Sequence, residues 1–341
     1  MIVTNSLSGG GAERSMNLLS NELTKRGWQV LLIPINSGPN DRVAPICEVF
    51  PLNRRWKDGF LGTATALKKF HRIVKLWDPD ILVLNCDLPE LFGAFLFGNN
   101  NLVAVEHSSF PWNQRQMLGK IVRKILLFRK VTWVAVSNHL NIWPSKSLPS
   151  KVLQNPLDFK GYVRTREPKS SIDRLVYIGR FSSEKRPEMA LNLARVESIR
   201  IVMIGDGILR EQLVNQAKNE LINSVFVGHV DDPWLEIQSG DLLIVPSAFE
   251  GDGLVVLEGL QQNVPMLLAD IPDLRRFRLP EKNYCTNLSD FSLRISDFKE
   301  NLEGLKVPVV LTEQLLLERN IDVIGALWES FLKQRLCNQL M

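Results

Sequence analysis

DLLIVPSAFEGDGLVVLEGL, residues 241–260, decides the fold. Asp241 to Ser247 reads as a short strand that is apolar along most of its length, and Leu254 onward reads as a helix. Gly251-Asp252-Gly253 turns the chain between them. A strand without alternation that runs through a glycine turn into a helix belongs in a parallel sheet covered on both faces. The stretch also sets Glu250 and Glu258 eight positions apart. The N–H groups of Leu254 and Val255 would open the helix, where an anion such as a diphosphate is favoured. Glu258, one turn in, could then reach ribose hydroxyls, and Glu250 a sugar beyond the diphosphate. The residues alone equally allow Glu250 to be a cap-region acid and Glu258 a partly exposed helix residue.

The same alternation extends outward. Strands are expected at 173–180, 199–205, 224–229 and 265–270, with helices at 186–196, 208–220, 232–238 and 254–262. In the first half, strands are expected at 1–6, 29–36, 80–85, 101–106 and 131–137. Between the first two of these, Met16, Leu19 and Leu23 sit at helical spacing and Gly27 supplies a stop. The polar, turn-rich stretch around 154–170 reads as a linker. The expectation is an α/β chain of two doubly wound units facing a central cleft: 1–158, 159–320, and a closing helix at 321–341 packed back on the first unit. Residues 280–310 carry no clear pattern.

Bulk properties narrow the classes. The 341 residues suit two domains, and 45% apolar with 23% charged is ordinary for a soluble protein. No apolar run approaches the roughly 20 residues of a membrane span. MIVTNSL lacks the basic flank and apolar stretch of a signal peptide. Cys47, Cys86, Cys285 and Cys337 form no C-x-x-C pair, which favours reduced thiols and a cytoplasmic setting. The net charge of +4 is asymmetric: residues 1–158 hold 19 Lys/Arg against 11 Asp/Glu, and the remainder 22 against 26. A basic first domain suits an anionic membrane surface or a phosphate-bearing substrate. Nucleic acid is set aside, because the basic half has no recognition motif and is not expected to expose aromatics interleaved with its cations.

Three further motifs lie at strand-to-helix turns. SLSGGGAER (6–14) follows the first strand; a glycine-rich turn there lets backbone N–H groups approach a phosphate. It is a poor dinucleotide fingerprint, because Arg14 replaces the third glycine and the second strand ends in Asn36 rather than an acid. YIGRFSSEKRPEMAL (177–191) puts Arg180 and Lys185 at a strand's C-terminal end, where cations can grip phosphate oxygens. MIGDGILREQL (203–213) repeats the turn with Gly205. Each has a plain alternative: tight turns for the glycines, a solvated loop for the cations.

Taken in order, SGGGAER, GRFSSEK, GDG and the E-x7-E pair after a VPS strand resemble the retaining GT-B glycosyltransferases of family four, over roughly residues 1–270. The resemblance implies a GT-B fold and transfer of a sugar, with retention, from a nucleotide-diphosphate sugar (UDP favoured, GDP the other option). It implies that Gly10, Gly11, Arg180 and Lys185 grip the diphosphate, with Gly205, Gly253, Leu254 and Val255 lining the donor. It assigns Glu250 to the donor sugar and Glu258 to ribose, and places His107 near donor sugar and acceptor. A structural loop histidine is the other reading of His107, and Asn155 in VLQNPLD is read as structural. Cations and backbone dipoles would do the work of a metal, so no metal or other cofactor is expected; the D-x-D at Asp78-Pro79-Asp80 sits in a turn. The acceptor is expected to be a glycan or a polyprenyl-diphosphate-linked oligosaccharide of bacterial surface polysaccharide synthesis, at the inner face of the plasma membrane. On 115–130, Lys120, Arg123 and Lys124 are expected on one face and Leu118, Ile121, Val122 and Ile125 on another. A soluble sugar acceptor or a non-catalytic scaffold are the alternatives. Two departures stand out: Asp252 between the turn glycines, and DIPDLRRF (270–277) without the family's Gly-Gly turn.

Overall fold

The computed structural model describes residues 1–7, 10–37, 45–96, 98, 101–108, 111–157 and 169–340. The chain divides into two compact units, Met1–Asp158 with Glu318–Met341, and Phe159–Leu317. Most of the polar stretch read as a linker lies outside the described residues.

The first unit holds a parallel seven-stranded sheet. Its strands are β1 (Ile2–Thr4), β2 (Leu31–Pro34), β3 (Glu48–Val49), β4 (Leu82–Asn85), β5 (Leu102–Glu106), β6 (Thr132–Ala135) and β7 (Lys151–Val152), in the order β3-β2-β1-β4-β5-β6-β7. Consecutive strand residues such as Leu32 and Ile33, or Val103 and Ala104, have no exposed surface. Burial on both faces is why these strands are apolar without alternation. Helices α2 (Gly59–Trp77), α3 (Asp87–Ala94) and α4 (Gln116–Phe128) cover one face through Phe70, Phe92, Val122 and Leu126. Helix α1 (Gly11–Lys25) and the C-terminal helix (Ile321–Leu340) cover the other through Met16, Leu19, Ile324 and Trp328. Arg26, at the end of α1, donates to Glu22, to Glu329 and to the Asp322 carbonyl, which fixes that terminal helix.

The second unit is a six-stranded parallel sheet in the order β10-β9-β8-β11-β12-β13. The strands are β8 (Arg174–Ile178), β9 (Arg200–Ile204), β10 (Ser224–Gly228), β11 (Asp241–Val245), β12 (Met266–Ala269) and β13 (Tyr284–Cys285). The helices are α5 (Pro187–Glu197), α6 (Arg210–Asn219), α7 (Leu254–Gln261), α8 (Pro272–Arg275), α9 (Leu288–Asp297) and α10 (Val309–Leu317), and the C-terminal helix is therefore α11.

The expected helix at 232–238 is a single 3-10 turn, Pro233–Glu236. Asp232 and Pro233 are good helix starters, and the Asp232 carboxylate accepts from the Trp234 N–H at 3.0 Å, but Ile237 is already extended. The unpatterned 280–310 contains β13 and α9; the Asn287 side chain caps α9 by accepting from the Asp290 N–H, and Phe291 and Ile295 bury its inner face. Asp78 ends α2 in the left-handed region (φ 43°), so the D-x-D is a helix-to-strand turn.

Sheet order fixes where ligands can sit. In open α/β sheets the crevice forms at the C-terminal ends of strands, where successive connections depart in opposite directions. Here that reversal falls between β1 and β4 in one unit and between β8 and β11 in the other.

Candidate functional site

The chain leaving β8 and the chain leaving β11 run side by side, joined by the Ala248 N–H donating to the Glu184 carbonyl at 2.8 Å. Arg180 follows β8 and is exposed. Its carbonyl accepts from the Tyr177 hydroxyl at 2.9 Å. Burial, with the Glu250 carboxylate nearby, holds that phenol's pKa well up. Lys185 closes a 3-10 turn before α5, and its Nζ lies 2.5 Å from Glu250 Oε2. Lys185 keeps 29% of its side chain exposed whereas Glu250 keeps 5%, so the carboxylate is the more enclosed partner of the pair.

Glu250 is tightly held. Ser247 Oγ donates to its Oε1 at 2.7 Å, and its own N–H donates to Asp273 Oδ2 at 2.7 Å. Gly253 caps α7 in the left-handed region (φ 55°), a conformation that favours glycine, and no side chain caps this end. Helix geometry leaves the N–H groups of Leu254 and Val255 without intrahelical acceptors. Glu258 is half-buried one turn later, and the Trp234 indole N–H donates to its Oε2 at 3.2 Å. Asp252 is buried and pairs with Arg276 Nη2 at 2.8 Å.

Gly205, after β9, lies at the same edge with φ 138°, and a Cβ there would sit 1.9 Å from the Gly179 carbonyl oxygen. The two glycine turns after β8 and β9 therefore touch backbone to backbone. Arg180, Lys185, Gly205, Glu250, Gly253, Leu254, Val255 and Glu258 thus share one sheet edge of the second unit.

Gly10, Gly11 and His107 belong to the first unit. Gly10 caps α1 without a side chain, and both glycines are exposed. His107 follows β5, and its Nε2 is 2.6 Å from Asn85 Oδ1. Asn85 is the last residue of β4, fully buried, with Nδ2 3.3 Å from both Thr4 Oγ1 and the Ala12 carbonyl. One amide therefore joins the glycine turn to the histidine. Asn85 was not singled out in the sequence; a polar residue ending a buried strand was its only signal.

A second unforeseen feature corrects the reading of α4. Arg123 is not on a solvated basic face; its side chain is 1% exposed. It bonds to Glu90 at 2.6 and 2.8 Å, to Glu106 at 2.5 Å and to the Trp143 carbonyl at 2.8 Å, and it packs 4.7 Å from the Trp133 ring centroid. Trp112 Nε1 also donates to Glu90, and the Trp112 N–H donates to Asp87. Burial pushes the Glu90 carboxyl up to about 7 and raises Glu106 and Asp87 as well. Burial also works against the charge on Arg123, but Glu90 and Glu106 outweigh it and raise its pKa. Ile121, expected on the apolar face, is 56% exposed. The outer face of α4 carries Met117, Lys120, Ile121, Lys124, Leu127 and Phe128.

Among the described residues, no group of three or more His, Cys, Asp or Glu is placed to hold a metal ion. No helix among them is long and apolar enough to cross a membrane.

With this geometry in view, comparisons with known proteins converge. Residues 9–141 match the family described as Glycosyltransferase Family 4, and residues 166–283 match Glycosyl transferases group 1. A glycosyltransferase of Haemophilus influenzae is 26% identical, covering 76% of this chain and 77% of its own. The Campylobacter jejuni GalNAc-alpha-(1->4)-GalNAc-alpha-(1->3)-diNAcBac-PP-undecaprenol alpha-1,4-N-acetyl-D-galactosaminyltransferase is 24% identical, covering 74% of each. Among solved structures, Anabaena HepE in complex with UDP and glucose superposes with TM-score 0.78 at 15% identity, covering 97% of this chain and 98% of that one. The two parallel sheets are the GT-B fold.

Proposed function

The chain belongs to the family four, group 1 glycosyltransferases, and from that premise we propose that it moves a sugar, with retention and without a metal, from a UDP-sugar to a glycan or polyprenyl-diphosphate-linked acceptor of bacterial surface polysaccharide. The observation that carries the donor reading is the Lys185–Glu250 pair beside the uncapped start of α7. Arg180 and Lys185 supply positive charge to the diphosphate, and the Leu254 and Val255 N–H groups add donors from the helix end. Glu250, fixed by Ser247 and by Asp273 at its own N–H, presents an oriented carboxylate toward the donor sugar. Glu258, aimed by Trp234, takes the ribose hydroxyls. As the diphosphate leaves, the same cations neutralise the charge that develops, which is the task a metal performs elsewhere. Gly10, Gly11 and His107 are assigned to diphosphate and sugar from the first unit. UDP is favoured over GDP by the UDP named with HepE, and the undecaprenol-linked acceptor of the Campylobacter relative supports a lipid-linked acceptor.

The test is a thermal-shift screen of UDP, GDP, ADP and their sugars with and without EDTA, on wild type and Lys185→Ala. A UDP shift that persists in EDTA and disappears in the variant is expected. No shift from any nucleotide would sink the donor reading and favour a non-catalytic scaffold.

We also propose that the protein works in the cytoplasm, peripherally on an anionic membrane. From His107 to Leu157 there is no Asp or Glu. The outer face of α4 mixes Lys120 and Lys124 with Met117 (73% exposed) and Phe128 (89%), a combination that suits a lipid headgroup boundary. Pelleting with phosphatidylglycerol vesicles but not with phosphatidylcholine vesicles is expected. Equal pelleting with both, or with neither, would leave a soluble acceptor as the better reading.

A further inference from the structure

We propose that Asn85 is a positioning residue that holds the neutral His107 ring with its proton on Nε2 and its lone pair on Nδ1. The assignment follows from hydrogen-bond bookkeeping. The Ala12 carbonyl oxygen can only accept, and it lies 3.3 Å from Asn85 Nδ2. That atom must therefore be the amide nitrogen, with Thr4 Oγ1 as a second neighbour at 3.3 Å. Rotating the amide by half a turn would set two acceptor oxygens against each other in a site with no exposed surface. With the nitrogen placed, Oδ1 is the atom facing His107, at 2.6 Å from Nε2. An amide oxygen has only lone pairs to offer, so Nε2 carries the hydrogen. The partner of one ring nitrogen decides the protonation of the other.

The amide has no room to choose otherwise. Asn85 closes β4, between β1 and β5 in the sheet, and its partners come from the end of β1, the first turn of α1 and the residue after β5. The first-unit switch point thus converges on a single side chain, and a shift of the glycine turn at Gly10–Gly11 would be felt at the His107 ring. The mechanistic meaning rests on the proposed transferase reading: a fixed tautomer decides how the ring can take part in proton movement at the sugar. The tautomer itself does not rest on it.

The experiment is nitrogen-15 NMR of protein labelled in its four histidines, with the His107 signals identified by their loss in His107→Gln. At a pH where the ring is neutral, wild type should show the Nε2–H pattern. Asn85→Leu should lose it and show a mixture or the Nδ1–H form. Asn85→Asp in its protonated form, whose hydroxyl can donate to the Ala12 carbonyl while its other oxygen accepts from Nε2, should restore the Nε2–H pattern. With an active enzyme, Asn85→Leu should lower kcat by roughly ten- to a hundredfold with little change in donor KM. An Nδ1–H pattern in wild type, or an unchanged tautomer in Asn85→Leu, would overturn the proposal. Correct tautomers in a protein that transfers no sugar would refute the transferase reading alone.

Discussion

Glu90→Gln should stabilise the first unit at alkaline pH relative to acid pH. Glu90 and Glu106 share one buried guanidinium, and burial moves Glu90 from an ordinary 4.5 to about 7. Because the folded value exceeds the unfolded one, the native state holds an extra proton between these two pH values. Stability from this group is therefore full below the unfolded pKa and declines as pH rises, levelling off above about 7. Between pH 5 and pH 8 the loss is on the order of 2–3 kcal/mol. Other groups titrate too. A difference between variant and wild type cancels the groups remote from this cluster, and any fixed cost of the amide appears equally at every pH. The Tm difference, Glu90→Gln minus wild type, should rise by roughly 5–10 °C from pH 5 to pH 8 for a unit of this size. Tryptophan fluorescence reads the right unit, because seven of the eight tryptophans lie in it. A Tm difference that stays constant from pH 5 to pH 8 would refute the idea that native Glu90 holds the extra proton.

Three other substitutions probe the glycine turns and the aim of Glu258. Gly205→Ala drives a Cβ to 1.9 Å from a backbone oxygen that cannot swing aside, so urea denaturation should show a loss of at least about 2 kcal/mol. Gly27→Ala, with φ 89° but open space around it, should cost only about 1 kcal/mol, and equal losses at the two sites would discredit the close-approach argument. Trp234→Phe removes the indole donor to Glu258, and UDP affinity measured by calorimetry should fall about fivefold, the equivalent of roughly 1 kcal/mol. An unchanged affinity would mean that Glu258 does not need to be aimed.

The parallel sheets were legible because strand residues buried on both faces must be apolar on both. Leu242 and Leu243 are adjacent and neither has exposed surface. The turn motifs were legible because glycine is demanded by backbone geometry, as at Gly205 and Gly253. Arg123 was not legible. A helical pattern separates polar from apolar positions, and a lone arginine among lysines reads as solvated. Its carboxylate partners lie 17 and 33 residues upstream, on β5 and α3. Only the fold brings them together, and only their presence makes burial of a guanidinium tolerable. Asn85 was hidden for the same reason: its partners come from three separate segments.

The two departures from the family pattern, Asp252 and DIPDLRRF, are one structural feature. Arg276, from the second, donates both to the Asp252 carboxylate and to the Asp252 carbonyl. Asp273, four residues after Ala269 ends β12, accepts from the Glu250 N–H at 2.7 Å. A buried carboxylate at Asp252 would be strongly disfavoured without a cation, and Arg276 supplies one while stacking 4.6 Å from the Phe277 ring centroid. Phe277 in turn approaches Gly253, where an added Cβ would lie 3.0 Å from its ring. The acid in the turn and the segment after β12 therefore depend on each other. Asp252 is committed to framing the turn, and what the turn offers at the start of α7 is backbone N–H and the fixed carboxylate of Glu250.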